Sequence, residues 1–344
     1  MWRYFIHPNN QTESNMSQTH KTYAKVVGTG RYLPNEPISN AELVARMAAK
    51  GVETSDEWIR ERTGIAQRYW ANDDQPVSVL AEFSARNALE AAVMGAEELE
   101  LIIIGSSTPD MIFPSAACLL QAKLGAKNAA ALDVQAACTG FIYALTMANA
   151  MIQSGQVKTA LVVGSDTISD ILDENDRTTA VLFGDCAGAV VLKASDEPGI
   201  LACNIHSNGD LSNILYGDAR IRHGQVMGDP RIQMDGQAVF KNAVTFLSED
   251  AQATLDKAGM TVEQLDWYIP HQANIRIIQA AGKRLGMPAE KTVVTVDQHG
   301  NTSAASVPLA LDTAVRDGRI QKGQTVLMQG VGGGFTWGTV LMRF

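Results

Sequence analysis

Cysteine is scarce in this sequence, and no two cysteines are closely spaced. Cys118, Cys138, Cys186 and Cys203 are the only four in 344 residues, and they form no C-x-x-C pair. A chain of this length with so few cysteines is neither a disulfide scaffold nor a zinc ribbon, so a reducing cytoplasm is the expected compartment. The six histidines form no H-x-x-x-H or similar ligand pair either, and we therefore expect no metal.

Long apolar runs and an excess of positive charge are also missing. No stretch approaches the roughly 20 apolar residues of a membrane helix, so no membrane contact is expected. Lys and Arg number 28 against 37 Asp and Glu, which gives a net charge of −9. Nucleic-acid-binding proteins usually carry a basic face, so no nucleic-acid partner is expected. Residues 1–22 are polar and lack a signal-peptide core, and we predict a disordered extension there.

Short β-branched runs alternate with Ala-rich stretches along the rest of the chain. This alternation is typical of an α/β architecture whose sheets are covered on both faces. The predicted strands are 25–27, 101–104, 160–163, 187–192, 267–269, 292–296, 325–328 and 338–342. The predicted helices are 77–94, 114–124, 140–153, 237–257, 275–285 and 306–317. A strand, glycine turn and closing strand recur near the end of each half, which predicts similar halves over 23–198 and 199–344.

The segment DVQAACTGF (133–141) carries the first candidate for chemistry. A strand ends near Val134 and a helix begins just after Cys138, so the thiol lies where unsatisfied N–H groups favour a thiolate. Small neighbours leave room for a substrate. The alternative for any free cysteine is an inert buried residue, and we assign that role to the other three.

Three further segments place polar groups or glycines after predicted strands. In DWYIPHQAN (266–274), His271 follows a strand, where ligands bind in α/β sheets. In DQHGNTSAASVPLAL (297–311), Asn301 is either functional or a turn and cap residue, and His299 is read as a surface loop residue. In GVGGGFTWG (330–338), the glycines allow close backbone approach to an oxyanion.

Together these segments closely resemble the β-ketoacyl-acyl carrier protein synthase III enzymes of the thiolase-like condensing superfamily. The resemblance runs from about Tyr23 to Phe344. It is carried by TSDEWIRERTGI (54–65), FPSAACLLQAKLG (113–125), AACTGF (136–141), HQAN (271–274), GNTSAASVP (300–308) and GGGFTWG (332–338). It implies a thiolase-like fold in which two similar α/β halves form a five-layered α-β-α-β-α core.

The resemblance also implies a reaction. An acyl-CoA primer, most simply acetyl-CoA, acylates Cys138, and malonyl-acyl carrier protein then loses CO₂ and condenses to a 3-ketoacyl product. His271 and Asn301 would donate hydrogen bonds to the enolate, and the backbone N–H groups of Cys138 and Gly333 would form the oxyanion hole. Coenzyme A is a substrate here, and no cofactor is implied.

Binding residues are implied in the same way. Trp58 and Arg177 would hold the adenine of CoA, Arg62 its phosphates and Asn274 its pantetheine arm, although Trp58 also fits a packed helix residue. A homodimer is implied in which Phe113 reaches the partner's acyl pocket and limits chain length. A patch for the acidic carrier protein is implied at Lys241, Arg276, Lys283 and Arg284, and a solvated helix face is the alternative.

Other activities are compatible with parts of this pattern. A specialised relative would condense other acyl groups into quinolone- or polyketide-type products. Separately, this chain departs from related enzymes at Val331, where they often carry a bulky aromatic residue just before the glycine run. A papain-like protease has the same Cys, His, Asn order, but it uses a C-G-[SA]-C-[WY] motif that this chain lacks. A non-catalytic acyl-binding protein would not need all three residues.

Overall fold

The computed structural model describes residues 22–344. The predicted N-terminal extension therefore lies outside the described residues, apart from Thr22. Within 22–344, no helix is both long and apolar enough to cross a bilayer.

Thirteen strands and nine helices make up the described part of the chain. The strands are β1 (Tyr23–Tyr32), β2 (Ile38–Ser39), β3 (Gln67–Arg68), β4 (Leu101–Gly105), β5 (Ala130–Val134), β6 (Thr159–Asp166), β7 (Cys186–Ser195), β8 (Ile200–Ser207), β9 (Leu215–Arg222), β10 (Gln225–Met234), β11 (Trp267–Ile269), β12 (Thr325–Gly332) and β13 (Thr336–Arg343). The helices are α1 (Asn40–Ala48), α2 (Asp56–Thr63), α3 (Val77–Ala92), α4 (Ala116–Leu124), α5 (Gly140–Gln153), α6 (Gly236–Ala258), α7 (Ile275–Leu285), α8 (Val296–His299) and α9 (Ser306–Arg316).

Two mixed sheets share one strand pattern. The first has the order β1-β7-β6-β4-β5, with β7 antiparallel to its neighbours and β4 parallel to its own. The second, β8-β13-β12-β11, repeats the same sequence of antiparallel and parallel pairings. The expected α/β class is thus confirmed, and the internal repeat noted in the sequence corresponds to a repeated sheet topology.

Helices cover both sheets and fill the space between them. Helices α3 and α4 pack on the outer face of the first sheet, α5 and α9 lie between the sheets, and α6 and α7 cover the second sheet. A single apolar cluster joins the inner faces of both sheets to α5 and α9, which therefore form the central layer. These are the five layers that the family resemblance implied.

Glycines allow the two central helices to begin at the same place. A Cβ at Gly105 would lie 2.3 Å from a backbone atom of Gly140, at the start of α5. A Cβ at Gly164 would lie 2.2 Å from the carbonyl oxygen of Ala304, in the turn before α9. Both contacts exclude any side chain. The first turns of α5 and α9 are thereby brought into contact, and the functional site forms where they meet.

One predicted strand is wrong. Residues 292–296 contribute only an isolated parallel bridge between Tyr268 and Thr292, and the chain then enters the short helix α8. The β-branched run favours a strand, but the Gln272 side chain accepts a hydrogen bond from the Thr295 N–H at 2.8 Å. This bond replaces a strand partner and turns the chain toward the site.

Helices α1 and α2 and the β9–β10 hairpin were not predicted from the sequence. Helix α2 is mostly charged, so it lacks the apolar stripe that identifies a buried helix, and it begins at a serine cap, where Ser55 accepts a hydrogen bond from the Trp58 N–H. The hairpin is largely exposed on both faces, which removes the alternation that usually marks a strand.

Candidate active site

Cys138 lies in the tight turn 137–139 that leads into α5 and is 8% exposed. Ala137, just before it, has a positive φ of 47°, a strained conformation for a residue with a side chain. The turn is held by Thr336 at the start of β13, whose hydroxyl donates to the Ala136 carbonyl at 2.9 Å. The glycine-rich turn of one half therefore fixes the nucleophile turn of the other.

His271 follows β11 and is 2% exposed. Its Nδ1 lies 2.6 Å from the Ser306 Oγ, which also accepts the Gln272 N–H at 3.1 Å. Within residues 22–344, Nδ1 is the only acceptor that this hydroxyl contacts, so the hydroxyl donates to Nδ1 and the ring proton is on Nε2. Burial lowers the pKa of His271 to about 3, so the ring is neutral at physiological pH. A neutral imidazole with Nε2–H is a hydrogen-bond donor without charge.

Asn301 follows α8 and is held by its backbone and its side chain. Its N–H donates to the Leu182 carbonyl at 2.8 Å, and its own carbonyl accepts the Gly184 N–H at 3.0 Å. The side-chain Oδ1 accepts the Ser303 N–H at 3.0 Å. With Oδ1 occupied, the amide group presents its N–H donors to the site. The bond from the Ser303 N–H is the turn contact of the alternative reading, and the catalytic role of Asn301 stays a prediction.

The three predicted catalytic side chains line one inner cavity. Its volume is about 80 Å³, and Cys138, His271 and Asn301 all contribute to its wall. Cys138 also lines a larger outer cavity of about 510 Å³, bounded by the β9–β10 hairpin. The sulfur thus stands between a wide cleft and a narrow chamber in which two uncharged donors converge. Uncharged donors that converge beside a sulfur can stabilise an oxyanion that forms there.

Burial dominates the electrostatics of the thiol. It raises the pKa of Cys138 to about 12, against the thiolate stabilisation expected from the helix start. The Ser303 hydroxyl, 3.5 Å from Sγ, and the N–H of Cys138 itself act in the opposite direction. Burial therefore outweighs these two hydrogen bonds in setting the pKa of the Cys138 thiol.

The glycine run lies directly against the nucleophile. A Cβ at Gly332 would be 2.6 Å from the Cys138 nitrogen, so only glycine fits there. Gly333 lies next to it and lines the outer cavity together with Cys138. The peptide N–H groups of Cys138 and Gly333 thus remain the predicted oxyanion hole.

Three of the residues predicted to bind CoA lie on the surface near the cap formed by α1 and α2. The Arg177 guanidinium lies over the Trp58 ring at 4.8 Å, and its Nη1 donates to the Glu53 carbonyl at 2.7 Å. Arg62 is exposed one helical turn after Trp58, on the same face of α2. A flat cationic and aromatic surface next to the exposed guanidinium of Arg62 suits a purine and its phosphates.

Asn274, the fourth predicted CoA residue, begins α7 and lines the inner cavity. Its Oδ1 accepts the Ile277 N–H at 3.0 Å as a helix cap. This cap occupies Oδ1, so the amide N–H groups are the part of the side chain that suits a carbonyl acceptor.

Phe113 is 81% exposed and lines neither cavity of its own chain. Its neighbours Met111 and Ile112 are 47% and 76% exposed. Three consecutive apolar side chains at the tip of one loop form a contact surface for which this chain supplies no partner within residues 22–344.

The four predicted carrier-docking residues are all exposed on α6 and α7. Arg284 is engaged by Glu249 at 3.3 Å. Lys241, Arg276 and Lys283 form no ion pair within the described chain. These three charges, on α6 and in the first and last turns of α7, are the positive patch. Helix α7 also brings Asn274 to the cavity.

Two minor sequence expectations are wrong. Cys118 was read as buried but is exposed on α4, because the outer face of that helix is uncovered. His299 was read as a surface loop residue but is 6% exposed in α8, and burial lowers its pKa to about 4. Cys186 is buried as expected, whereas Cys203 is half-buried.

Four residues of the site were not singled out in the sequence. Ser306 orients His271, and Thr336 holds the nucleophile turn. Ser303 contacts Cys138 and Asn301. Asp166, at the end of β6, accepts the Ala304 N–H. The first three lie inside motifs already quoted, so the sequence signal that could have identified them was a hydroxyl side chain within a functional segment. Asp166 had no such signal apart from a charged residue at the end of the apolar run ALVVGS.

Two family profiles and a curated relative match this chain. The family profile described as 3-oxoacyl-[acyl-carrier-protein (ACP)] synthase III matches residues 132–209, and the profile for the C terminal of the same family matches 255–344. A curated β-ketoacyl-[acyl-carrier-protein] synthase III from Bordetella petrii is 56% identical over 325 residues, covering 94% of this chain and 99% of the relative.

Solved structures give the same result. The 3-oxoacyl-[acyl-carrier-protein] synthase III from Aquifex aeolicus VF5 is 44% identical with a TM-score of 0.87, covering 93% of this chain and all of that one. The enzyme of the same description from Pseudomonas aeruginosa PAO1 is 40% identical with a TM-score of 0.87, covering 94% and 98%. Each of these three relatives thus matches more than nine-tenths of the chain.

Proposed function

This chain belongs to the 3-oxoacyl-[acyl-carrier-protein] synthase III family of condensing enzymes, and from that membership we propose how its site performs the initiating condensation. An acyl-CoA, most simply acetyl-CoA, acylates Cys138. Malonyl-acyl carrier protein then loses CO₂ and attacks the acyl thioester, giving a 3-ketoacyl-acyl carrier protein. One observation carries the proposal, namely the cavity shared by a thiol, a neutral imidazole and an amide.

In the first half-reaction, the sulfur of Cys138 attacks the acyl carbonyl of the primer and CoA leaves as its thiol. The wide outer cavity admits the primer to the sulfur. The peptide N–H groups of Cys138 and Gly333 stabilise the tetrahedral oxyanion, because backbone donors in a buried site are already oriented when charge develops. Intact-protein mass after mixing with acetyl-CoA measures this step directly, and an adduct of one acetyl group is expected.

In the second half-reaction, the malonyl thioester occupies the narrow chamber. Loss of CO₂ leaves an enolate whose negative charge lies on the thioester oxygen. The Nε2–H of His271 and the side-chain N–H of Asn301 donate to that oxygen, and neither group carries a charge. The enolate carbon then attacks the acyl carbon on Cys138, which leaves as thiolate.

We assign the exposed apolar loop 111–113 to contact with a second copy of the chain. Homodimerisation would bury these three side chains, and Phe113 would enter the partner's outer cavity and shorten it. Phe113→Ala should therefore widen primer choice, raising the ratio of hexanoyl to acetyl transfer by roughly tenfold or more, the usual effect of apolar pocket contacts. Acylation rates with primers of increasing length measure this ratio.

Met111→Ala serves as the control for that experiment, because it shortens an apolar side chain of the same loop that is not assigned to the pocket. A Phe113→Ala protein that stays dimeric and keeps the original primer ratio would show that Phe113 does not set chain length. Primer preference for long or aromatic acyl groups in the unaltered protein would instead favour a specialised relative.

The carrier protein of this pathway is acidic, and the positive patch at Lys241, Arg276 and Lys283 is complementary to it. Arg276→Glu should raise the KM for malonyl-acyl carrier protein by roughly three- to tenfold while leaving acylation by acetyl-CoA nearly unchanged, because exposed charges act mainly on encounter. Steady-state kinetics at low and high salt measure the effect, which salt should weaken.

Lys322→Glu is the matched control, since it makes the same charge change on an exposed lysine outside this patch. Equal losses in both variants, or equal losses with CoA and carrier substrates, would count against docking at α7.

A further inference from the structure

Gln272, the residue after His271, has a buried side chain whose amide is bonded to three backbone groups. The residue is 1% exposed. Its Nε2 donates to the Pro270 carbonyl at 2.7 Å and to the Val293 carbonyl at 3.2 Å, and its Oε1 accepts the Thr295 N–H at 2.8 Å. Both amide protons are therefore used within the protein, so Gln272 acts on the backbone around it and not on a substrate.

These three bonds complete a parallel ladder that the backbone cannot complete. Tyr268 of β11 forms a parallel bridge with the neighbouring segment, and the Val293 N–H donates to the Tyr268 carbonyl at 2.8 Å. Two residues further along a parallel ladder, Pro270 would donate to the Val293 carbonyl and accept the Thr295 N–H. Proline has no N–H to donate. The side-chain amide of Gln272 bonds both groups instead, as the peptide group of a strand would.

The same amide fixes the backbone on one side of His271. Its bond to the Pro270 carbonyl holds the peptide group that precedes His271. The peptide group that follows is held by the backbone N–H of Gln272, which donates to the Ser306 Oγ at 3.1 Å. That oxygen also contacts the Nδ1 of His271 at 2.6 Å. Gln272 and Ser306 therefore set the direction in which the imidazole points.

On its other side, the amide sets where α8 begins. Thr295, which bonds the Gln272 Oε1, immediately precedes this helix, and its carbonyl accepts the His299 N–H at 3.2 Å. The helix has only four residues, and Asn301 follows it after a single glycine. Asn301 has two further backbone bonds of its own, so we expect a change at Gln272 to displace His271 more than Asn301.

We propose that Gln272 is the positioning residue that holds His271 and Asn301 at the spacing required for decarboxylation. It rests on the proposed function, in which these two side chains donate to the enolate. Gln272 itself lines neither cavity. Acylation relies instead on the peptide N–H groups of Cys138 and Gly333. Loss of the Gln272 amide should therefore impair the second half-reaction and spare the first.

Gln272→Met tests this separation. Methionine is unbranched and of similar length, so it fills the space, but its side chain cannot make the three bonds. The kcat for decarboxylation of malonyl-acyl carrier protein should fall roughly 30- to 100-fold, the scale expected when a reacting group is misplaced by about 1 Å. Its KM should change by less than about twofold, since the carrier protein docks on exposed charges, and acylation by acetyl-CoA by less than about threefold. Release of CO₂ and rapid-quench intact-protein mass measure the two steps on one preparation.

Gln329→Met is the matched control, because Gln329 makes the same set of bonds away from the site. It is fully buried and lines neither cavity. Its Nε2 donates to the Leu247 carbonyl at 2.7 Å and to the Thr339 hydroxyl at 2.8 Å, and its Oε1 accepts the Tyr268 hydroxyl at 2.6 Å. The two substitutions should lower Tm by similar amounts, but only Gln272→Met should separate the half-reactions.

A double-mutant cycle shows whether Gln272 acts through the imidazole. Added to His271→Ala, the Gln272→Met substitution should reduce decarboxylation by no more than about fivefold, because the donor that it would displace most is already absent. A further loss as large as in the unaltered protein would contradict the proposal.

Thermal unfolding establishes that each variant is folded. Gln272→Asn replaces Gln272→Met if the latter does not fold, since it keeps a buried amide that is one carbon too short to bond both segments, and the same separation is expected. Equal losses in both half-reactions, or decarboxylation at the unaltered rate, would overturn the positioning role. Failure of the unaltered protein to form an acyl adduct and release CO₂ would instead overturn the proposed function.

Discussion

Cys138→Ala should abolish the acyl adduct and reduce condensation by roughly 10⁴-fold or more, the scale of loss when an enzyme's nucleophile is removed. The expectation follows from the position of the sulfur, which lines both the outer cleft and the inner chamber. Alanine keeps the turn 137–139 and the contact with Gly332, so the cavity remains while the reacting atom is lost. Intact-protein mass after incubation with acetyl-CoA is the direct measurement.

Two other cysteines provide controls for this experiment. Cys118→Ala removes an exposed thiol, and Cys203→Ala removes a half-buried one on β8, and both variants should keep the adduct. An acyl group found on the Cys138→Ala protein would contradict the assignment of the nucleophile. Loss of the adduct in Cys118→Ala would show that the exposed thiol takes part in the transfer.

The sequence predicted the class of fold and the helices that line the site because those elements bury regular apolar patterns. Helices α5 and α7 have the bounds that were predicted, Gly140–Gln153 and Ile275–Leu285. In each of them small or apolar residues recur at helical spacing and the ends are marked by glycine, asparagine or a polar turn. The prediction of a strand at 292–296 was wrong because the Gln272 side chain accepts the hydrogen bond of a backbone N–H that a strand neighbour would otherwise accept.

The polar interior of the site was much harder to predict. Cys138, His271 and Asn301 stood out because each lies in a short motif, and the family resemblance gave them roles. Asp166 did not, because its partners Ser106, Ser107 and Ala304 are distant in sequence and meet only after both halves fold. Long-range hydrogen bonds of this kind have no local signal. The same holds for the pKa of Cys138, which depends on how completely the fold buries the sulfur.

His271→Ala and Asn301→Ala should separate the two half-reactions. Each variant is expected to form the acetyl adduct on Cys138, since neither side chain supplies the oxyanion hole of acylation. Each should lose roughly 10²- to 10³-fold in decarboxylation of malonyl-acyl carrier protein, the usual cost of one oriented donor to an oxyanion. Release of CO₂ and acyl-adduct mass, measured on the same preparation, give the two rates.

Because both donors are uncharged, the pH dependence of the residual decarboxylation can also be predicted. His271 is neutral and Asn301 does not titrate, so the residual decarboxylation in each single variant should vary little with pH between about 6 and 8. Asn301→Asp is the most informative additional variant, because it keeps the shape of the side chain but places a negative charge next to the developing enolate. It should lose more activity than Asn301→Ala. If His271→Ala and Asn301→Ala decarboxylate normally yet fail to acylate, the two side chains act in acylation and not in decarboxylation. An Asn301→Asp protein as active as the unaltered one would show that this amide does not face the enolate.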